Sequence, residues 1–360
     1  MNRSGGTGLC DAGRQVVGVG VGVGIALICT IVSVSPAAAQ ITAQCAQEAA
    51  AINGLSSQDQ QRIEQYCNVV GQSIEITQPR LGVSLSGGNP LPGTASTLGM
   101  RLGSLPRVSV DIRATAAVPE IPDLRSEQSL DETLRFPLGS INADAGVGVF
   151  SGFSPAPTVG GMGSIDVIGS IGVIPISLAE DDGFSDGTPL TWALGARVGI
   201  LRESFTLPGI SVTGMFRDLG QVEYGDPDFE DEDAFFNADL SALSVRGAVS
   251  KDFLFMSATA GIGWDRYSST VGFGAEVEDA CTLLSSCSVA IRNAEIETDR
   301  VSYFGNVSLN FLIVNLVGEL GWQAGGDLDD PDAPLPPGVD MQELSQDGAL
   351  FGSLALRLSI

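Results

Sequence analysis

The 360-residue chain contains no histidine, and its only lysine is Lys251. Without imidazole there is no Ser-His-Asp arrangement, no Cys-His pair and no His-ligated metal. A zinc site would need all four cysteines beyond residue 39, and an oxidising compartment opposes that. No carboxylate pair stands out for acid–base work. The sequence therefore points away from an enzyme. Positive charge is scarce as well: 18 Lys and Arg stand against 43 Asp and Glu, a formal net charge of −25. Nucleic acid is not an expected partner at that balance. Long apolar runs are missing beyond residues 16–34, so no second transmembrane helix is expected. The GVGVGVG stretch falls inside that run and is no phosphate loop.

The start of the chain reads as an export signal. Arg3 and Arg14 flank a polar opening, residues 16–34 are apolar, and Ser35-Pro36-Ala37-Ala38-Ala39 ends in small residues. This pattern predicts a signal peptide over 1–39, cleaved after Ala39, with a retained membrane helix as the alternative. Cys29 follows the large Ile28, which does not suit a lipid anchor. Four cysteines remain, and their spacing suggests two disulfides, Cys45 with Cys67 and Cys281 with Cys287. Residues 40–70 read as a small helical hairpin, turned at Gly54 and capped at Ser56 or Ser57. Its expected role is a structural cap on the periplasmic side, with a partner-binding module as the alternative. Residues 71–105 are rich in Gly, Pro and Ser and read as a linker.

From about residue 106 the period becomes two. Val108, Val110, Ile112, Ala114, Ala116 and Val118 alternate with Ser109, Asp111, Arg113, Thr115 and Ala117. Such alternation makes a strand with one apolar face and one tolerant face. Further strands are expected near 138–150, 158–177, 189–201, 209–222, 238–250, 253–265, 300–311, 312–324 and 348–360. The connections alternate between short and long. The acidic clusters at 180–182, 226–233, 276–279 and 327–332 all fall in long ones. Trp192, Trp264, Tyr303 and Trp322 fall on the apolar face at the long-loop end, as an aromatic girdle would. A soluble β-sandwich shares the alternation but gives no reason for the loop asymmetry.

This layout over residues 106–360 resembles a bacterial outer-membrane β-barrel protein. The last ten residues, FGSLALRLSI, are similar to the terminal strand such proteins show to the barrel-assembly machinery, although Ile360 replaces the usual aromatic residue. The resemblance implies an all-β fold: a closed antiparallel transmembrane barrel of about ten strands, eight to twelve being admissible. It also implies the cell outer membrane as location and its lipid as partner.

On the lumen side the alternation predicts Asp111, Arg113, Asn142, Asp144, Asp166, Arg197, Arg246, Asp265, Asn306, Asn310, Asn315, Glu319 and Arg357. These residues either pair into a network that plugs the bore or line a narrow polar conduit. The expected function is accordingly a passive porin-like conduit or a structural envelope protein. The alternative is a surface adhesion or receptor barrel acting through its acidic loops. No cofactor is expected. Asp226, Asp228, Glu230 and Asp231 are hard-oxygen groups that could bind Ca²⁺ or Mg²⁺, but they lack EF-hand spacing and read first as a solvated loop. The flanks of Cys281 and Cys287 alternate too, so that hairpin is expected to continue above the membrane.

Overall fold

The computed structural model describes residues 56–101, 105–123, 132–155, 159–175, 190–225, 234–278, 286–311, 313–328 and 340–359, with Ala43, Gln44, Gln47, Ala333 and Leu335. All belong to one compact unit, residues 35–360. The signal segment, Cys45, Cys281 and the acidic runs 180–182 and 226–233 lie outside the described residues.

Helix α1 (Ser57–Ser86) comes first. Strands β1 (Met100–Arg101) and β2 (Leu105–Pro106) form a small hairpin. Strand β3 (Val108–Ala117) opens the barrel, and β4 (Glu120–Pro122) and β5 (Thr133–Arg135) pair in the loop above it. Then come β6 (Leu138–Phe150), β7 (Ser164–Val173), β8 (Leu190–Leu201), β9 (Gly209–Gly225) and β10 (Ala234–Phe253). The series ends with β11 (Met256–Glu278), β12 (Ser286–Phe311), β13 (Val314–Gln323), helix α2 (Met341–Gln346) and β14 (Ala349–Ser359). Ten of these strands, β3 and β6 to β14, form a closed barrel, and every pair in it is antiparallel. Closure comes from β14 against β3, with Phe351 opposite Ala117 and Ser359 opposite Ser109. This is the expected fold.

Alternation drives the closure. In β3 every second residue from Ser109 to Ala117 is buried and the others are exposed. The exposed set is apolar: Val110 and Ile112 here, Leu194 and Val198 in β8, Leu316 and Leu320 in β13. The buried set is largely polar. A ten-residue strand rises about 33 Å, which becomes roughly 25 Å across a bilayer once tilted. Strands β3, β7 and β13 have that length.

Strands β9 to β12 run further at the long-loop end, and there the pattern inverts. In β11 the inward Ser257, Thr259 and Asp265 give way to inward Tyr267, Val271 and Phe273. In β12 the exposed Tyr303, Val307 and Leu309 give way to exposed Glu295, Glu297 and Asp299, while Ala294 and Ile296 turn inward. Apolar-out becomes polar-out, as it must where lipid gives way to water. Arg266 and Asp299 mark the change with an outward ion pair of 2.8 Å. The extension of the hairpin above residue 265 matches expectation, although β11 and β12 are far longer than the strands read from sequence.

Three expectations need correction. Residues 71–86 are not linker but the second half of α1. The turn that the expected strands 238–250 and 253–265 leave at Lys251 and Asp252 lies three residues later, at Leu254 and Phe255, where Leu254 has φ +46°. The N-terminal segment does not sit below the barrel but enters it, as described next.

Candidate functional site: the filled bore

Helix α1 is buried on every side from Tyr66 onward. Its many β-branched residues, among them Ile63, Val69, Val70, Ile74 and Ile76, are weak helix formers, so packing has to hold it. The packing comes from the inverted part of the barrel. Ile63, Tyr66, Val70 and Ile74 share a core with Leu219, Leu240, Phe273 and Ile296 of the walls, and with Ile121, Phe136 and Met341 of the loops. Cys67 is buried there and takes part in a disulfide. The expected partner, Cys45, lies outside the described residues.

Arg80 ties the helix to the long loops. It donates to the carbonyls of Glu120 and Leu344, and to that of Asp347 at 3.2 Å. Two turns on, the helix ends. Gly87 N–H donates to Val83 O at 2.8 Å, and Gly88 takes φ +92°, a conformation that favours glycine at a helix C-terminus. A helix is about 10 Å across. Below this level the chain continues without helix among the inward Arg, Asp and Glu side chains.

Residues 87–99 (GGNPLPGTASTLG) then run down the bore as an irregular chain that bends at Gly88, Pro90-Leu91 and Ala95-Ser96 and turns at Pro92-Gly93. A buried chain outside helix and sheet must find partners for its backbone. The barrel wall supplies them. Ser140 Oγ donates to Leu85 O at 2.9 Å. Arg113 Nη1 donates to Gly87 O at 2.7 Å. Asn89 N–H donates to Glu319 Oε1 at 2.8 Å. Arg197 donates to the carbonyls of Pro90, Leu91 and Thr94 at 2.5, 3.2 and 3.3 Å. Arg357 Nη1 donates to Pro92 O at 2.9 Å, and Ser257 Oγ to Gly93 O at 2.8 Å. Leu98 N–H donates to Asp166 Oδ2 at 2.9 Å. Met100 N–H reaches Ser151 Oγ, beside the short-turn end, at 2.9 Å. The segment thus crosses the whole barrel, from the long-loop end to the short-turn end, before β3 starts back up.

The structure places the lumen candidates as follows. Asp111, Arg113, Asn142, Asp144, Asp166, Arg197, Arg246, Asp265, Asn306, Glu319 and Arg357 are all buried inside the bore. Asn310 and Asn315 are half-buried near the short-turn mouth. There a cavity of 420 Å³ lies between the crossing segment and the wall, with Thr94, Asp252, Asn315 and Arg357 in its lining. Arg113 pairs with Asp144 at 3.0 Å and Arg246 with Asp265 at 3.3 Å. Asn306 donates to Glu319 Oε2 at 3.0 Å. Sequence reading missed Arg217, which is buried inside on β9. Its inward parity, shared with Thr213 and Met215, was the available signal. The reading also missed every group of the crossing segment, because a Gly- and Pro-rich stretch carries no periodicity.

Trp192, Tyr303 and Trp322 are exposed on the outer face, and Trp264 is half-buried. Tyr303 stands opposite Trp322 across β12 and β13. Trp192 Nε1 donates to Asp218 Oδ2 at 3.1 Å, and the Arg266 guanidinium lies 5.3 Å from the Trp264 ring. At the short-turn end Phe153, Phe205, Phe253, Leu254, Phe255 and Phe311 are exposed. Among the described residues no cluster of acidic groups or cysteines could hold a metal. Asp226, Asp228, Glu230 and Asp231 lie outside them.

No protein-family model matches the chain, and no curated protein matches it. Solved structures are similar at low identity. The translocator domain of the autotransporter NalP from Neisseria meningitidis shares 9% identity over 82% of this chain and 98% of that one, with a TM-score of 0.30. The transport unit of the autotransporter AIDA-I from Escherichia coli shares 8% over 79% and 99%, with a TM-score of 0.35. The attachment invasion locus protein Ail of Yersinia pestis shares 11% over 71% and 97%, with a TM-score of 0.24.

Proposed function

We propose that the protein is an outer-membrane barrel closed by its own N-terminal segment, which it holds across the bore so that the start of α1 faces the cell exterior. Its role on this reading is to anchor and present a surface structure, in the class of adhesion or receptor barrels, and it is not an open conduit. The crossing of residues 57–99 from the long-loop end to the short-turn end carries the reading. Long loops belong outside and short turns in the periplasm. A chain that enters at the long loops therefore has its N-terminal end outside.

The membrane location is supported by the apolar outer face. That band runs between the Trp192, Tyr303 and Trp322 level and the short-turn phenylalanines. In water an exposed apolar surface of this extent would aggregate. The part above the band is built for water, with Glu295, Glu297 and Asp299 outward and a packed core inside. It forms a platform around α1.

Planar-bilayer conductance of the folded full chain tests the closed state. A silent bilayer is expected. Discrete ion-selective openings from the intact chain would restore the porin-like conduit.

A further inference from the structure

We propose that the open edge of β12 above the apolar band is a docking site for an extended, basic polypeptide segment, which adds to the sheet as a further strand. On one side β12 pairs with β11, from Ser286 opposite Glu278 to Leu309 opposite Met256. On the other side its pairing with β13 ends at Ser302, opposite Gln323. Beyond Gln323 the chain turns away from β12. Ala324 N–H donates to Val301 O at 2.8 Å, and Gly326 N–H already donates to Ser345 O at 3.0 Å. Above Val301 this side of β12 has no neighbouring strand among the described residues. Backbone groups of successive residues point to opposite sides of a strand. The Val301 carbonyl points towards β13, so the N–H and C=O groups of Asp299, Glu297 and Glu295 point the same way, into the open side. The Asp299 carbonyl accepts from Arg300 Nη1 at 2.9 Å. The carbonyls of Glu295 and Glu297, and the N–H groups of all three residues, form a template for another strand.

The side chains along this edge select the occupant. Glu295, Glu297 and Asp299 are exposed on the outward face, and each lies roughly 7 Å from the next along the strand. Arg266 neutralises Asp299 through contacts of 2.8 and 2.9 Å. Glu295 and Glu297 stand opposite Thr270 and Ser268 of β11, which bring no positive charge. Opposite charges directly across two strands favour pairing, and like charges oppose it. A second copy of this chain is therefore disfavoured. Two such edges paired antiparallel about Glu297 would set Glu297 against Glu297 and Glu295 against Asp299. A strand with Lys or Arg at every second position meets both free carboxylates and the backbone template at once. In such strand addition the main-chain bonds supply affinity and the alternate side chains supply specificity. That the edge faces the cell exterior rests on the orientation proposed above; the binding itself does not.

The test uses the full chain purified in a neutral detergent and a short fluorescent peptide of alternating Lys and Thr, with binding followed by anisotropy. A peptide of the same composition with its lysines in one block is the control. Amide hydrogen exchange at Glu295 and Glu297 is measured alongside. The expected result is saturable binding of the alternating peptide with slowed exchange at both amides. Glu295→Lys combined with Glu297→Lys should weaken that binding by about tenfold or more, and an alternating Glu and Thr peptide should bind this variant instead. Absence of saturable binding would overturn the proposal. So would equal affinity for the block peptide without slowed exchange, which marks general attraction to an acidic surface. Should the double variant fail to fold, backbone methylation of the peptide decides on the wild-type chain. The lysine N–H groups face β12 in this pairing, so methylating them should abolish binding while methylating those of threonine spares it. Equal affinity for the two methylated peptides would overturn the proposal. None of these readouts depends on which side of the membrane α1 begins.

Discussion

Gly82 of α1 passes against the ring of Tyr267 of β11, so closely that a Cβ at position 82 would overlap the ring carbons. Tyr267 is fully buried and accepts a hydrogen bond from Gln323 Nε2 at 2.9 Å, so it cannot swing aside. Gly82→Leu is expected to lower barrel stability by about 1–3 kcal/mol, the usual range for overpacking. Denaturant unfolding in detergent checks this. Gly82→Ala should cost less than Gly82→Leu, and equal stabilities for all three chains would mean α1 is not docked there.

Arg197 holds three carbonyls of the crossing segment. Arg197→Ala leaves those carbonyls buried and unpaired, at about 1–3 kcal/mol for each group left without a partner. The segment is expected to loosen within an intact barrel. Conductance should show brief openings in this variant and none in the wild type. A variant as silent as the wild type, with the same unfolding midpoint, would contradict the role given to Arg197.

The outer face offers a contrast. Leu320 of β13 faces outward inside the apolar band, and Glu297 of β12 faces outward above it. Leu320→Arg should cost up to about 2–4 kcal/mol, with the larger figure nearer the bilayer midplane. Glu297→Arg, in water, should change stability by less than about 0.5 kcal/mol. Unfolding into detergent or lipid measures both, and equal costs would misplace the membrane boundary.

Glu203, in the short turn between β8 and β9, gives a pH dependence. Desolvation raises its pKa above the ordinary value, against hydrogen bonds from Asp252 N–H and Ser250 and the charge of Lys251. A carboxyl with a raised native pKa favours the protonated native form. Its contribution to stability is therefore full below the unfolded pKa and fades as pH rises through the native value. Proteolysis within residues 202–208 should slow as pH falls from neutral towards that of a free glutamate. Glu203→Gln should remove the dependence, and an unchanged pH profile in that variant would refute the assignment.

The barrel was legible where lipid imposes a period. In β3, β6 and β14 each outward residue must be apolar and each inward residue is free to be polar, so strand ends and facing came close to those observed. Legibility stopped where the solvent changed. Beyond Asp265 both faces of β11 are mixed, because the inward face packs α1 while the outward face meets water. The strand therefore reads as ending early. Helix α1 was hidden for a different reason. Gly71, Pro79 and Gly82 break a helical pattern, and a helix buried on all sides shows no amphipathic stripe. Of the bore's chemistry, the side chains facing inward were readable from parity. Their partner was not, since residues 87–99 contribute mainly backbone.

The account rests on the direction in which residues 57–99 cross the barrel. Single cysteines placed at Ser57, at the start of α1, and at Leu254, in a short turn, measure it with a membrane-impermeant maleimide on intact cells. Ser57→Cys is expected to label from outside, and Leu254→Cys only after the outer membrane is permeabilised. Labelling of Leu254→Cys on intact cells with Ser57→Cys protected would contradict the account.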